Sequence, residues 1–201
     1  DSLSYALGTD IGRSLEKLDV PLSPDMIYQG LSDVLDSGGV AQLTAEQAQT
    51  LIQAFQMEAQ RRQQEKMQAE MKIAQAAEDS FLKENGAREE VTMLPSGLQY
   101  QVLEASDGPK PTAESTVKVH YEGRLLDGSV FDSSYERGEP IEFPVGRVIA
   151  GWTEGLQLMP VGAKWRLFIP SKLGYGPRGA PPSIGPNATL VFDVELLEIV
   201  E

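Results

Sequence analysis

Val119-His-Tyr-Glu-Gly-Arg-Leu-Leu-Asp-Gly-Ser-Val-Phe-Asp-Ser-Ser134 is the stretch on which the reading of this 201-residue chain turns. Leading into it, Val117, Val119 and Tyr121 alternate with Lys118, His120 and Glu122. A period of two puts the apolar set on one face of a strand. Asp127-Gly128 then marks a turn. The same alternation recurs on both sides. Leu98, Tyr100 and Val102 alternate with Gln99 and Gln101, and Trp165, Leu167 and Ile169 with Lys164, Arg166 and Phe168. Leu190, Phe192, Val194 and Leu196 close the chain, with Asp193 and Glu195 facing the other way. Arg137-Gly138, Val161-Gly162 and the loop from Gly174 to Pro186 supply further turns, and only Val148 to Leu158 reads as a helix. These signals predict half-buried antiparallel strands wrapped on one short helix, an α+β domain over 93–201.

Upstream of about residue 90 the pattern changes to that of helices. Leu3, Leu7, Ile11, Leu15 and Leu18 form one stripe, with Gly8 and Gly12 one turn apart beside it. Two glycines in a helix weaken it and point to close approach by another backbone. Ser23-Pro24-Asp25 opens a second helix with Ser as N-cap and Pro at the first position. Ile27, Leu31, Val34 and Leu35 share its face, and Gly38-Gly39 ends it. A third helix starts at Thr44, with Gln47 completing a capping box. No Gly or Pro follows until Gly86, so the helix over 44–86 is about 40 residues and about 60 Å long. Its middle, Gln56 to Asp79, is polar and cannot sit in a core. It has no apolar heptad seam, which argues against a long coiled coil. Residues 1–55 hold too little apolar surface to stand alone, so they are expected to pack against the same residues of a second chain as a homodimer.

Composition excludes several functions. The net charge of −13 argues against nucleic acid as a partner. The absence of Cys removes thiolate catalysis and thiolate metal sites, and a single His, His120, excludes sites needing two imidazoles. No metal or cofactor is expected, and no apolar run is long enough to span a bilayer.

The stretch quoted first, together with Val148-Ile-Ala-Gly-Trp-Thr-Glu-Gly155, Gly174-Tyr-Gly176 and Ala188-Thr-Leu-Val-Phe-Asp-Val-Glu-Leu-Leu197, closely resembles the FKBP family of peptidyl-prolyl isomerases. The layout of the N-terminal half resembles the bacterial Mip-like branch, whose members are typically V-shaped homodimers. The resemblance implies an FKBP-like sheet preceded by an all-α dimerisation arm with one long helix. It implies rotation of X-Pro bonds in proline-containing peptides and unfolded proteins, chaperone activity through the dimeric arm, and inhibition by rapamycin and tacrolimus. Carried over motif by motif, the catalytic positions are Tyr121, Phe131, Asp132, Trp152, Tyr175 and Phe192, and the substrate-binding positions are Arg137, Ile141, Phe143, Val148, Ile149 and Ile184. Trp152 would be the floor for the proline ring, with Tyr121, Phe131 and Phe192 as walls. The Ile149 N–H and the Tyr175 hydroxyl would hold substrate carbonyls, and Asp132 would orient Tyr121 or Arg137 at the rim. Ile141 stands where a Phe is common and Ala180 where some members carry His, which leaves substrate preference and drug affinity open.

The chemistry agrees with a site that lacks a nucleophile. An X-Pro amide rotates through a twisted state in which resonance is lost and the carbonyl is less polar. A dry apolar site favours that state over either planar isomer. Read singly, Trp152, Phe131, Phe143 and Phe192 are core residues, Asp132 a turn residue and Tyr175 a packing residue. Within the motifs they converge. His120 lies on the opposite strand face from Tyr121 and is expected to be solvent-facing or lightly paired, not catalytic. The alternative function is a chaperone or surface binding module with little isomerase activity. A chain opening at Asp1 reads as processed, which points to the periplasm or outer membrane of a Gram-negative bacterium, with the cytoplasm as the alternative.

Overall fold

The computed structural model describes residues 1–16, 18, 20–35 and 41–200, which divide into two compact units, 1–60 and 61–201. The division falls inside the long helix. Residues 61–85 therefore belong with the strands that follow and do more than lead to them.

The first unit contains α1 (Ser2–Glu16), α2 (Pro24–Leu35) and the opening of α3 (Ala45–Asn85). Ser23 caps α2 by accepting from the Met26 N–H. Thr44 and Gln47 exchange reciprocal hydrogen bonds of 2.9 and 3.2 Å, so the capping box forms as its spacing predicts. The expected stop at Gly38-Gly39 lies outside the described residues. No described residue of α1 or α2 is buried. Between them lies an apolar groove of about 410 Å³ that includes Ile11, Leu15, Ile27 and Leu31. Among the described residues, a Cβ added at Gly8 or Gly12 would meet nothing within 4 Å.

The second unit is an antiparallel sheet of seven strands: β1 (Val91–Met93), β2 (Gln99–Glu104), β3 (Thr116–Arg124), β4 (Val130–Ser133), β5 (Ile141–Pro144), β6 (Lys164–Ile169) and β7 (Leu190–Val200). The order is β1-β2-β6-β7-β3-β4, and β5 also pairs with β3. β4 and β5 lie along successive parts of β3, separated by the helical turn α4 (Ser134–Arg137). Register shifts at Val102/Glu104, Lys118/Val119 and Gly123/Arg124 mark bulges, which bend a sheet.

The inward set is the one that alternation predicts, except at Val102, which is exposed beside the β2 bulge. Val117, Val119, Tyr121, Trp165, Leu167, Ile169, Leu190, Phe192, Val194 and Leu196 are all buried. They close on α5 (Ala150–Leu158) through Trp152 and Leu156. Each such side chain contributes about 1.5–3 kcal/mol. The helix comes close because Gly151 faces β6: a Cβ there would lie 2.5 Å from the Ile169 side chain.

Alternation fails at one end of the other face. Gln99 and Phe168, expected to meet solvent, are buried. The cause is the last part of α3. Phe81 packs on Phe168 with ring centroids 5.7 Å apart. The Gln99 side chain accepts from the Asn85 amide at 2.8 Å and donates to the Leu82 carbonyl at 2.7 Å. A sheet covered on both faces loses its polar side wherever the second layer lies.

Candidate functional site

One hollow of about 670 Å³ collects the side chains of β3, β4, α4, β5, α5, β7 and two connecting segments. Tyr121, Phe131, Asp132, Arg137, Ile141, Phe143, Val148, Ile149, Trp152, Tyr175 and Phe192 line it, together with Arg147. Ile184, expected among them, is not in the lining. Ala180 and Ile184 exchange backbone hydrogen bonds of 2.9 and 3.0 Å, which fold the loop back, and Ile184 joins the core. Arg147, in the 3-10 turn Val145–Arg147 just before α5, escaped the sequence reading, since a cation in a turn carries no pattern.

Trp152 is placed by the first turn of α5. The Ile149 carbonyl accepts from the Trp152 and Thr153 N–H groups at 2.9 and 3.1 Å, and the Thr153 hydroxyl ties the helix to the Val145 carbonyl at 2.7 Å. Three rings meet the indole nearly edge-on: Tyr121 at 5.2 Å, Phe143 at 5.6 Å and Phe192 at 5.2 Å between centroids. Perpendicular ring pairs satisfy the quadrupoles and fix the indole plane. The indole is 4% exposed, and among the described residues its N–H has no hydrogen-bond partner. Phe131 meets Phe192 edge-on at 5.4 Å.

These two phenylalanines flank Gly123, where a Cβ would lie 2.6 Å from each ring. In the register Gly123 faces Asp132 on one side and Phe192 on the other. The quoted stretch contained this glycine, but only the packing shows why a side chain is excluded there.

The polar rim is a closed triad. The Tyr121 hydroxyl donates to one Asp132 oxygen, the Arg137 guanidinium donates to the other, and Arg137 also donates to the Tyr121 oxygen at 2.9 Å. The guanidinium carbon lies 5.5 Å from the centre of the Tyr121 ring. Burial pushes the Tyr121 phenol up to about 12, aided by the Asp132 hydrogen bond. For Asp132, burial pushes upward, but hydrogen bonds from Tyr121 and Arg137 outweigh it and hold the carboxyl below its usual range. At neutral pH the triad is therefore phenol, carboxylate and guanidinium.

Ser134, a second residue that pattern reading passed over, anchors this arrangement. Its buried hydroxyl accepts from the Tyr121 N–H at 2.8 Å and donates to the Tyr121 carbonyl at 3.1 Å. The same oxygen lies 2.9 Å from His120 Nδ1, and the imidazole stacks on Tyr135 at 4.6 Å. His120 is thus a paired, half-buried residue on the face away from the hollow. Ser133 caps α4 by accepting from the Glu136 N–H at 3.4 Å, and Gly138 ends it with φ of 78°. That single turn directs Arg137 back to the rim.

The lining contains no Ser, Thr, Cys, His or Lys. Its one carboxylate is occupied by Tyr121 and Arg137. A sheet bent over one helix thus frames a ring-walled hollow whose shape and polarity suit a compact apolar group.

Comparison with known proteins narrows this further. A family model of FKBP-type peptidyl-prolyl cis-trans isomerases matches residues 108–197, and a model of the domain amino-terminal to it matches 1–102. The chain is 40% identical to the outer membrane protein MIP of Legionella longbeachae, covering 99% of this chain and 85% of that protein. It is 43% identical to the FKBP-type 22 kDa peptidyl-prolyl cis-trans isomerase of Escherichia coli, covering 98% and 94%. The crystal structure of FkpA from Escherichia coli superposes with a TM-score of 0.78 at 38% identity, over 98% of this chain and 95% of that one. The chain belongs to the FKBP-type peptidyl-prolyl cis-trans isomerase family. Its reaction is rotation about the peptide bond preceding proline, and no helix among the described residues is long and apolar enough to cross a membrane.

Proposed function

We propose that the hollow over Trp152 is where the isomerase turns its substrate, with the proline ring lying on the indole. The observation that carries this reading is the edge-on arrangement of Tyr121, Phe143 and Phe192 around one buried indole. It leaves an apolar floor facing a cavity large enough for a proline and its neighbours. Phe131, Ile141 and Val148 complete the walls. The Ile149 N–H and the Tyr175 hydroxyl hold the carbonyls that flank the rotating bond, and the Asp132 triad keeps Tyr121 upright. A twisted amide has a less polar carbonyl than a planar one, so the dry site favours it. X-Pro rotation is slow enough to limit folding, which gives the activity its use. Rapamycin and tacrolimus compete for the same hollow.

The test is a protease-coupled proline-peptide assay on the full chain, with Trp152→Ala and Asp132→Ala. Turnover falls at least about ten-fold in Trp152→Ala, since about 1.4 kcal/mol of twisted-state stabilisation is worth that factor. Undiminished turnover in both variants refutes the reading.

Residues 1–55 act as a dimerisation domain. The support is that α1 and α2 bury nothing in their own chain, whereas Leu3, Leu7, Leu31 and Val34 are exposed. Gly8 and Gly12 leave room for a second backbone beside Ile11 and Leu15. The dimer offers two isomerase sites to one non-native chain and so acts as a chaperone. Sedimentation of the full chain gives twice the monomer mass, and Leu31→Asp shifts it toward monomer. A full chain that sediments as a monomer at micromolar concentration removes this part. The protein works in the periplasm or at the outer membrane, a placement supported by the Legionella relative, which is named an outer membrane protein.

A further inference from the structure

Helix α3 carries a buried carboxylate that the hollow does not use. Glu78 is 5% exposed. One of its oxygens accepts from the Ser171 N–H at 2.5 Å and the Thr189 hydroxyl at 2.8 Å. The other accepts from the Ser171 hydroxyl at 3.1 Å, with the Gln75 amide at 3.4 Å. A carboxylate leaves water at high cost unless donors replace its shell, and ionised acceptors make the stronger hydrogen bonds. Such a group is an anchor, and its location shows what it anchors.

Ser171 and Thr189 stand just beyond Ile169 and Leu190, the last pair of the β6–β7 ladder. Where the ladder stops, Glu78 takes over and joins the two ends of segment 171–189. That segment carries Tyr175 into the lining of the hollow. It is tied within itself: the Asn187 N–H donates to the Gly176 carbonyl at 2.9 Å, and Ala180 and Ile184 pair further out. A shift at its base therefore passes to Tyr175.

We infer that Glu78 is a positioning residue for isomerisation: the long helix, through this carboxylate, sets where the Tyr175 wall of the hollow stands. The inference rests on the reading that this hollow is the X-Pro site. It gives a residue of the helix that precedes the isomerase strands a part in placing the wall of the hollow.

The test compares Glu78→Ala, Glu78→Gln and Asn85→Ala in the full chain, with Trp152→Ala alongside. Asn85 docks the same helix on the same sheet through Gln99, and among the described residues its side-chain hydrogen bonds go to Gln99 and Arg88, not to Ser171 or Thr189. Small misplacements in a site cost large factors, so Glu78→Ala raises KM for an X-Pro peptide by about 3- to 10-fold. Glu78→Gln keeps an acceptor for the Ser171 N–H and recovers most of that loss. Asn85→Ala lowers the urea midpoint but leaves KM within about 2-fold of the parent. An equal KM rise in Asn85→Ala at matched loss of stability makes Glu78 an ordinary structural anchor and overturns the inference. So does an unchanged KM in Glu78→Ala. If Glu78→Ala does not fold, Thr189→Val removes one donor only, and the same direction of change in KM is required of it. Loss of turnover in Trp152→Ala with none in the Glu78 variants sinks this inference alone. Full turnover in Trp152→Ala sinks the reading of the hollow.

Discussion

Gly123→Ala adds one methyl group at the most crowded point of the site. Its carbon would lie 2.6 Å from Phe131 Cζ and from Phe192 Cε1, and 2.7 Å from Phe131 Cε2. Carbon atoms settle about 3.5–4.0 Å apart, so the rings must give way by about 1 Å. The two rings differ in their freedom to do so. Phe192 is buried and held edge-on between Trp152 and Phe131. Phe131 is half-buried and borders the hollow, so it yields, into space that a ligand needs. Overpacking of this kind costs about 1–3 kcal/mol, and the stiffer unfolded chain returns about 0.4–1 kcal/mol. The difference spans about 0–2.6 kcal/mol, and with both rings in the way a net loss near the middle of that range, about 1.3 kcal/mol, is expected. Both tryptophans, Trp152 and Trp165, lie in the second unit, so urea unfolding followed by their fluorescence reads that unit alone. In the protease-coupled assay KM rises more than kcat falls, because the methyl acts through the volume of the hollow. Phe131→Leu removes the ring atoms nearest the new methyl and should restore part of the stability when combined with it, a non-additive pair. Parental stability in Gly123→Ala, or strictly additive behaviour of the double variant, would refute the reasoning.

Two further outcomes follow from the rim. The Asp132 carboxyl is held below its ordinary range, so its stabilisation is present above about pH 4, the unfolded value, and is lost as pH falls through the lower folded one. Tyr121 has the opposite sign. Its phenol is pushed up to about 12, so its contribution is present below about pH 10 and is lost as pH rises toward the folded value. These two groups therefore hold kcat/KM flat between about pH 5 and 9, and a bell-shaped profile that vanishes in Tyr121→Phe would contradict the assignment. Ser134→Ala leaves the Tyr121 N–H without its buried acceptor and should cost about 1–3 kcal/mol in urea unfolding, with a loss below 0.5 kcal/mol showing that the hydroxyl is dispensable.

Where local rules decide the outcome, the residues announce it. Thr44, Gln47 and the unbroken run to Gly86 place α3 within a residue of its observed ends. Alternation picks out β3, β6 and β7 and their inward faces. The four-residue pieces β4, α4 and β5 are too short to show a period, so they read only as turns beside a motif. Gln99 and Phe168 are buried by a helix that arrives from earlier in the chain, which no local pattern can report. At the site, the motif residues converge on one hollow. The two discrepancies, Ile184 and Arg147, both sit in irregular backbone, where direction is set by hydrogen bonding and not by periodicity. Gly123 and Ser134 act through close packing and one buried hydroxyl, and both become visible only in three dimensions.

The outermost strands of the sheet also bear on what a passing polypeptide can attach to. One border is β1, only three residues long, and the other is divided between β4 and β5 by a helical turn. An unfolded chain searching for backbone partners finds no long, straight row of free N–H and C=O groups on either side. An isomerase that takes extended proline-containing chains as substrates thereby offers them little purchase for strand addition.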